Sequence, residues 1–198
     1  MIRLEKLLTW RSAISYDDAH VLNEYIVTLN LHTESQDQDQ QSVAYERMKW
    51  WINNVLSDAV LLNREDPLLM SYHATRQRVI APPSDPVDYA VAMVLYLKLN
   101  AIMEQRLIID QIKLSSDHGD HMCYLHSEEI DDIVFEDRGW WTDSRPVWCE
   151  QDLARAQGKV VKLARPAEWS DLGLGWDRNN KEDEDVVVFA DFGRNENR

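Results

Sequence analysis

The sequence predicts an α+β protein in which an N-terminal helical part with three main helices precedes a small antiparallel β-rich part. Before residue 114 the apolar residues recur with a period near 3.6, and after Ser116 short segments alternate between apolar and polar side chains. The 6 glycines are few for 198 residues, which leaves long segments for helices. We expect a helical part at 1–114 and a β-rich part at 115–192, packed as one domain, with a disordered tail at 193–198.

The first helix is predicted over about residues 16–30. Ser15 can cap its N-terminus, Asp17 suits the positive end of the helix dipole, and an apolar stripe follows, formed by Val21, Leu22, Tyr25, Ile26 and Leu29. Residues 33–41, TESQDQDQQ, contain no apolar side chain. They are therefore expected to form a solvated linker or the frayed start of the next helix.

Two further helices follow. One begins at Ser42, where apolar residues recur at helical spacing as far as Leu62, and a turn closes it at Pro67. The other is predicted over about 86–113, because Ser84 and Asp85 offer an N-cap and Pro86 suits the first turn. Its apolar residues cover more than one face, so we expect it to be the central buried helix. Its apolar run is interrupted by charges and is too short to span a bilayer.

The C-terminal half alternates between apolar and polar residues in four segments. They are MCYLH, DIVFED, KVVKLA and DVVVFADF, and each is predicted to be a short strand. This half also holds five of the eight tryptophans, at positions 140, 141, 148, 169 and 176. An antiparallel sheet with an aromatic filling follows from this pattern.

Charge and cysteine content narrow the function. The chain carries 35 acidic and 21 basic side chains, a formal charge of -14, which disfavours direct binding of nucleic acid. Cys123 and Cys149 are too few for a disulfide framework, so a reducing, cytoplasmic location is expected. Whether these two cysteines pair is left open. No membrane association is expected, and the oligomeric state is not predicted.

A histidine cluster offers one possible site. His118, His121 and His126 lie within nine residues, near Cys123 and several carboxylates, and these are zinc-binding side chains. The fragment from His118 to His121, HGDH, resembles the end of the H-x-H-x-D-H signature of metallo-β-lactamase-like hydrolases, although Ser116 stands where the first histidine belongs. The resemblance implies a zinc-dependent hydrolase. The alternative interpretation is a polar turn between a helix and a strand.

An acidic and aromatic segment offers a second possible site. Residues 117–152 contain 11 acidic side chains against Arg138 and Arg145, a balance of -9. Carboxylates can steer a basic partner and tryptophans can supply the area that it buries, so the predicted binding residues are Glu136, Asp137, Trp140, Trp141 and Trp148. At least one of Trp140 and Trp141 is expected to be exposed. The alternative is a structural loop whose tryptophans fill a core.

These observations favour a non-enzymatic, acidic interaction module that binds a basic protein, as an inhibitor, an immunity-like protein or an assembly accessory protein. Neither a nucleophile elbow nor a Gly-rich phosphate loop occurs in the sequence. No cofactor is expected under this hypothesis. The alternative function is a metal-dependent hydrolase with zinc at His118, His121 and His126.

Overall fold

The computed structural model describes residues 2–16, 19–33, 35–75, 77–119, 122–127, 135, 139–146 and 168–177. Its centre is a mixed six-stranded sheet with the strand order β4-β3-β1-β2-β5-β6. The strands are β1 (Ile2–Tyr16), β2 (Ala19–Thr33), β3 (Val60–Leu61), β4 (Val79–Ile80), β5 (Ile108–Ser116) and β6 (Cys123–His126). The helices are α1 (Gln38–Trp51), α2 (Leu69–Thr75) and α3 (Asp88–Met103).

The first two strands form a long antiparallel hairpin with a continuous register from Ile2 opposite Thr33 to Tyr16 opposite Ala19. Burial alternates along it. On β2, every second side chain is at most 1% exposed, and these are Tyr25, Val27, Leu29 and Leu31. Because neighbouring strand residues point to opposite faces, this alternation shows that one face of the sheet is covered. Helix α3 packs on that face against β5, and α1 packs against α3.

The predicted order of helices first and sheet second is wrong. The chain begins with the two longest strands, and residues 16–30, predicted as a helix, belong mostly to β2. The apolar residues of this segment fit a helical stripe, but Tyr25, Val27 and Leu29 also fit a period of two. Pairing with β1 on one side and β5 on the other stabilises the strand, and β5 lies some eighty residues away in sequence.

The second predicted helix is confirmed in part. Helix α1 begins at Gln38 rather than Ser42, because the Asp37 side chain caps it by accepting hydrogen bonds from the backbone N–H groups of Asp39 and Gln40. The frayed-start alternative for residues 33–41 is therefore the better description. The helix ends at Trp51, a π-helical turn follows over Ile52–Leu56, and the next residues enter β3.

The third predicted helix is confirmed in its burial, but its predicted N-cap and its predicted end are wrong. It begins at Asp88, and Val87 occupies the N-cap position without a side-chain hydrogen bond. Helix α3 has ten buried residues and stops at Met103. Glu104 and Gln105 then adopt left-handed backbone angles, with φ of 47° and 65°. This turn reverses the chain into β5, which takes the last residues of the predicted helix and continues across the predicted boundary at 114.

Of the four predicted C-terminal strands, MCYLH is confirmed as β6. The DIVFED strand is described only at Phe135, and KVVKLA, DVVVFADF and the tail at 193–198 lie outside the described residues. Within the described part of the chain, no helix has the length and apolar character needed to cross a membrane.

A buried lysine anchors residues 140–145 to α3. Lys98 is 0% exposed. Its Nζ donates to the backbone carbonyls of Asp143 at 2.6 Å and Arg145 at 3.1 Å, and to that of Trp140 at 3.4 Å. Burial lowers the pKa of Lys98 to about 8, against an opposing effect of the nearby Asp143 carboxylate. The ammonium group thus satisfies three carbonyls, of which that of Trp140 is buried and those of Asp143 and Arg145 are partly buried.

A buried arginine holds the second C-terminal segment. Arg47 of α1 is 2% exposed. Its guanidinium donates to the carbonyl of Leu174 at 2.8 Å and lies 3.5 Å from the centroid of the Trp176 ring. It also pairs with Glu104 at 3.1 Å, which offsets part of the desolvation that lowers its pKa to about 10. Both described C-terminal segments are therefore attached to the helices by buried cations.

Candidate functional site

The opposite face of the sheet carries none of the described helices along most of the β1–β2 hairpin. Helix α2 packs on this side only at the end of the hairpin, where Tyr72 contacts the ring of His20 and shares an apolar cluster with Ala13. We call it the helix-free face: the odd-numbered residues of β1 from Arg3 to Arg11, the even-numbered residues of β2 from Leu22 to His32, and Gln111, Lys113, Tyr124 and His126. The strand register places these side chains on one surface, because directly paired residues share a face.

Large apolar side chains are exposed on this face. Leu7 is 66% exposed, Leu22 59%, Tyr124 51% and Ile26 47%. The register connects two of them in one row, in which Leu7 is opposite Thr28, and Lys113 pairs with both Thr28 and Tyr124. A group of exposed apolar residues on one surface is typical of an interaction site.

The charges on the helix-free face are of both signs. Arg11 and Glu24 form an ion pair at 2.8 Å, and the Lys113 ammonium lies 5.6 Å from the centroid of the Tyr124 ring. Arg3 and Glu5 lie at the other end of β1. The excess negative charge of the chain is therefore located elsewhere, with much of it in residues 117–152, the segment that contains β6.

A polar depression of about 620 Å³ opens at one end of the helix-free face. We call it the strand-end pocket; its polar lining is formed by Arg3, Glu5, Asn30, His32, Asp110, Gln111, His126 and Ser127. Asn30 donates from Nδ2 to Oε1 of Gln111 at 2.7 Å, and Nε2 of Gln111 lies 3.3 Å from Nε2 of His126. These contacts link three strands through their side chains.

A β-bulge shapes this pocket. Asn30 pairs with Gln111 and Leu31 with Ile109, so Asp110 is the extra residue of β5. Nδ1 of His32 lies 2.6 Å from Oδ1 of Asp110, a polar contact that is an ion pair only when the imidazole is protonated. In a regular strand Asp110 and Gln111 would point to opposite faces. The bulge brings both into the same pocket, and bulges commonly re-aim side chains in this way.

The predicted acidic and aromatic surface is only partly described. Trp140 is 9% exposed and Trp141 2%, so the expectation that one of them is exposed is wrong. Trp140 stacks near Trp51 at 6.3 Å between ring centroids, and its Nε1 donates to the carbonyl of Ala81. Both tryptophans fill the core beneath α3, where burial of their large rings outweighs exposure to a partner. Glu136, Asp137 and Trp148 lie outside the described residues.

The structure separates two of the predicted zinc ligands. His126 is on β6 beside Gln111, whereas His118 follows the far end of β5, and its backbone N–H donates to Oδ1 of Asn23. Five strand residues separate Gln111 from Ser116, a rise of roughly 17 Å, which is too long for one ion. His121 lies outside the described residues, and the described ones contain no group of three metal-binding side chains.

Cys123 lies on β6, partly buried, and burial raises the pKa of its thiol. A raised pKa disfavours the thiolate that a metal or a disulfide exchange would need. Its partner in the predicted optional pair, Cys149, lies outside the described residues.

The sequence prediction missed the strand-end pocket. Asn30 and His32 are two residues apart, a spacing that places them on one face of a strand. Asn30, however, ends the helix predicted over 16–30, and His32 belongs to no predicted element. The position of Asp110 depends on the bulge, for which the sequence contains no glycine or proline signal.

Comparison with known proteins does not assign the chain to a family. No family model and no curated protein matches it. An uncharacterized protein from Wolinella succinogenes has a similar structure, with a TM-score of 0.48 and 10% identity over 64% of this chain and 98% of its own. A catalytic-residue mutant of 6-pyruvoyltetrahydropterin synthase from Plasmodium vivax has a TM-score of 0.40 and 10% identity, over 64% and 98% of the two chains. Similarities at this level do not indicate a shared function.

Proposed function

We propose that this protein is a non-enzymatic interaction module that binds a basic protein partner through the helix-free face. One observation carries the proposal: Leu7, Leu22 and Ile26 are about half exposed or more, on a sheet whose other face is covered. Because these side chains are about half to two-thirds exposed, leaving them in water forgoes roughly 1–2 kcal/mol of transfer free energy each. A partner that covers these side chains recovers this free energy.

The charge of the chain supports a basic partner. A formal charge of -14 attracts a positively charged protein over several ångströms and raises its encounter rate. The helix-free face itself carries both signs, so the acidic field acts on encounter and the apolar residues act on the bound state. Residues 117–152, which hold much of the excess negative charge, include the edge strand β6.

Affinity capture with matched variants tests the proposal. The wild-type chain, the double variant Leu7→Thr with Ile26→Thr, and the control Val87→Thr are each used to capture proteins from the native cell extract. Threonine keeps the strand propensity while removing apolar area. Val87 is a suitable control because it is 61% exposed and directly precedes α3, which packs on the covered face.

We expect a captured protein of high isoelectric point. Its binding should weaken as salt rises, because dissolved ions screen the attraction between charges more than about 10 Å apart at 0.1 M salt. The double variant should bind this protein at least about tenfold more weakly, while Val87→Thr should retain the wild-type affinity. Equal capture by all three proteins, or a captured partner that is acidic and insensitive to salt, would contradict the proposal.

A further inference from the structure

We infer that the strand-end pocket binds a small zwitterion, a molecule with a carboxylate and an amine such as a free amino acid or a short peptide. This inference does not rest on the proposed function, because it concerns a separate part of the helix-free face. It begins with the two rows of polar side chains that cross the sheet at the pocket.

The first row suits an anionic group. Arg3 is directly opposite His32 in the strand register, and Asp110 contacts the ring of His32 from the next strand. Nδ1 of His32 is sealed against Asp110, so an incoming ligand meets the ring through Nε2. A guanidinium and an imidazole held in this way are the side chains that bind carboxylates.

The second row suits a cationic group. Glu5 is directly opposite Asn30, and Asn30 is opposite Gln111. A carboxylate and two side-chain amides supply oxygen acceptors for an ammonium group. Asn30 already donates to Gln111 at 2.7 Å, so the amide orientations are fixed before a ligand arrives. Fixed orientation lowers the entropy that binding costs.

The rim charges are available to a ligand. Among the residues that the structure describes, neither the Arg3 guanidinium nor the Glu5 carboxylate forms an ion pair. They are two residues apart on β1, a separation of about 7 Å between Cα atoms. One positive and one negative group at this distance match a ligand that carries both charges, and they match a simple anion or a simple cation less well.

The bulge in β5 supports a site rather than a random surface. Without the extra residue, Asp110 and Gln111 could not both face the pocket, and either the contact to His32 or the contact to Asn30 would be lost. The bulge interrupts the ladder of backbone hydrogen bonds between β2 and β5, which is a local cost. The same bulge that weakens the strand pairing locally also forms the pocket.

The test follows the imidazole resonances of the full chain by NMR during titration with the twenty free amino acids, acetate and ethylamine. His32 and His126 report on the pocket. His20, exposed at the other end of β2, is the internal control. Acetate and ethylamine each carry one charge of the zwitterion and therefore measure each row alone.

We expect at least one amino acid to shift the His32 and His126 resonances without shifting His20, and to bind at least about tenfold more tightly than acetate or ethylamine. Arg3→Gln and Glu5→Gln should each weaken this binding by about tenfold or more, whereas Arg11→Gln, at the other end of the face, should not. Binding of acetate as tight as that of any amino acid would overturn the inference in favour of an anion site. The absence of any selective shift up to about 10 mM would overturn it in favour of a structural network.

Discussion

The two faces of the β1–β2 hairpin use the same strands in opposite ways. Leu29 on the covered face is 0% exposed, and Leu7, one register position away on the paired strand, is 66% exposed. Since residue type and secondary structure are the same, only the presence of α1 and α3 differs. The comparison shows that the covered face stabilises the fold, while the helix-free face is available for binding.

Polar groups differ between the two faces as well. Behind the covered face, Lys98 and Arg47 are buried, and their hydrogen bonds end on backbone carbonyls of the C-terminal segments. On the helix-free face, polar side chains contact one another across strands and remain within reach of solvent. Buried cations of the first kind hold the fold together, whereas polar groups of the second kind can meet a ligand.

The largest difference is expected from replacing the same residue type on each face. Leu29→Ala should lower the free energy of unfolding by about 2–5 kcal/mol, because it leaves a cavity in the core. Leu7→Ala should change it by about 0.5 kcal/mol or less, because the side chain is already hydrated. Urea denaturation of both variants measures the contrast. Similar losses for the two variants would show that the helix-free face is covered in the folded protein.

A smaller effect is expected from Lys98→Met. Methionine fills much of the lysine volume but cannot donate to the carbonyls of Trp140, Asp143 and Arg145. We expect a loss of about 1–3 kcal/mol, the cost of leaving buried acceptors unpaired. Near-ultraviolet circular dichroism should also report altered packing around Trp140. A variant as stable as wild type, with an unchanged aromatic spectrum, would show that Lys98 does not anchor residues 140–145.

The pH dependence of stability sharpens this point. Burial lowers the pKa of Lys98 from 10.5 to about 8. Between these two values the unfolded chain binds more protons than the folded chain, so the contribution of Lys98 to stability rises with pH. Between pH 7 and pH 9, the free energy of unfolding of the wild-type protein should rise by about 1 kcal/mol more than that of Lys98→Met. Both proteins contain Cys123, so the opposing effect of its raised pKa cancels in the difference.

The smallest effect is expected on the helix-free face. Arg11→Gln breaks the ion pair with Glu24, in which both side chains are well exposed. Exposed pairs contribute at most about 1 kcal/mol, and we expect about 0.5 kcal/mol or less. Thermal denaturation at low and high salt measures it. A loss as large as that of Lys98→Met would mean that this pair is part of the structural core.

The sequence predicts an element correctly where its local pattern is sufficient to define it. The burial of α3 follows from an apolar run that covers several faces. Its start at Asp88 is two residues from the predicted one, although Val87, and neither Ser84 nor Asp85, occupies the N-cap position. Its end was not predicted because Glu104 and Gln105 adopt positive φ angles, and no glycine at these positions indicates a turn. Residues of this type seldom adopt that conformation, so a local pattern could not place it.

Long-range pairing explains most other differences. The β2 segment fits both a helical and a strand period, and only its partners decide between them: β1 is adjacent in sequence, but β5 is some eighty residues away, as Asn30 opposite Gln111 shows. The candidate site depends on the same information. His32 and Asp110 meet only after three strands pair and one of them bulges, which no local pattern contains.

The most direct test of the division between the two faces is photo-crosslinking to the captured partner. A photoreactive phenylalanine derivative is placed at Leu7, at Ile26, or at Val87 directly before α3, three exposed apolar positions. The account predicts crosslinks to one basic protein from positions 7 and 26 and none from position 87. Crosslinks from position 87 alone, or equally from all three positions, would contradict the assignment of the helix-free face as the binding surface.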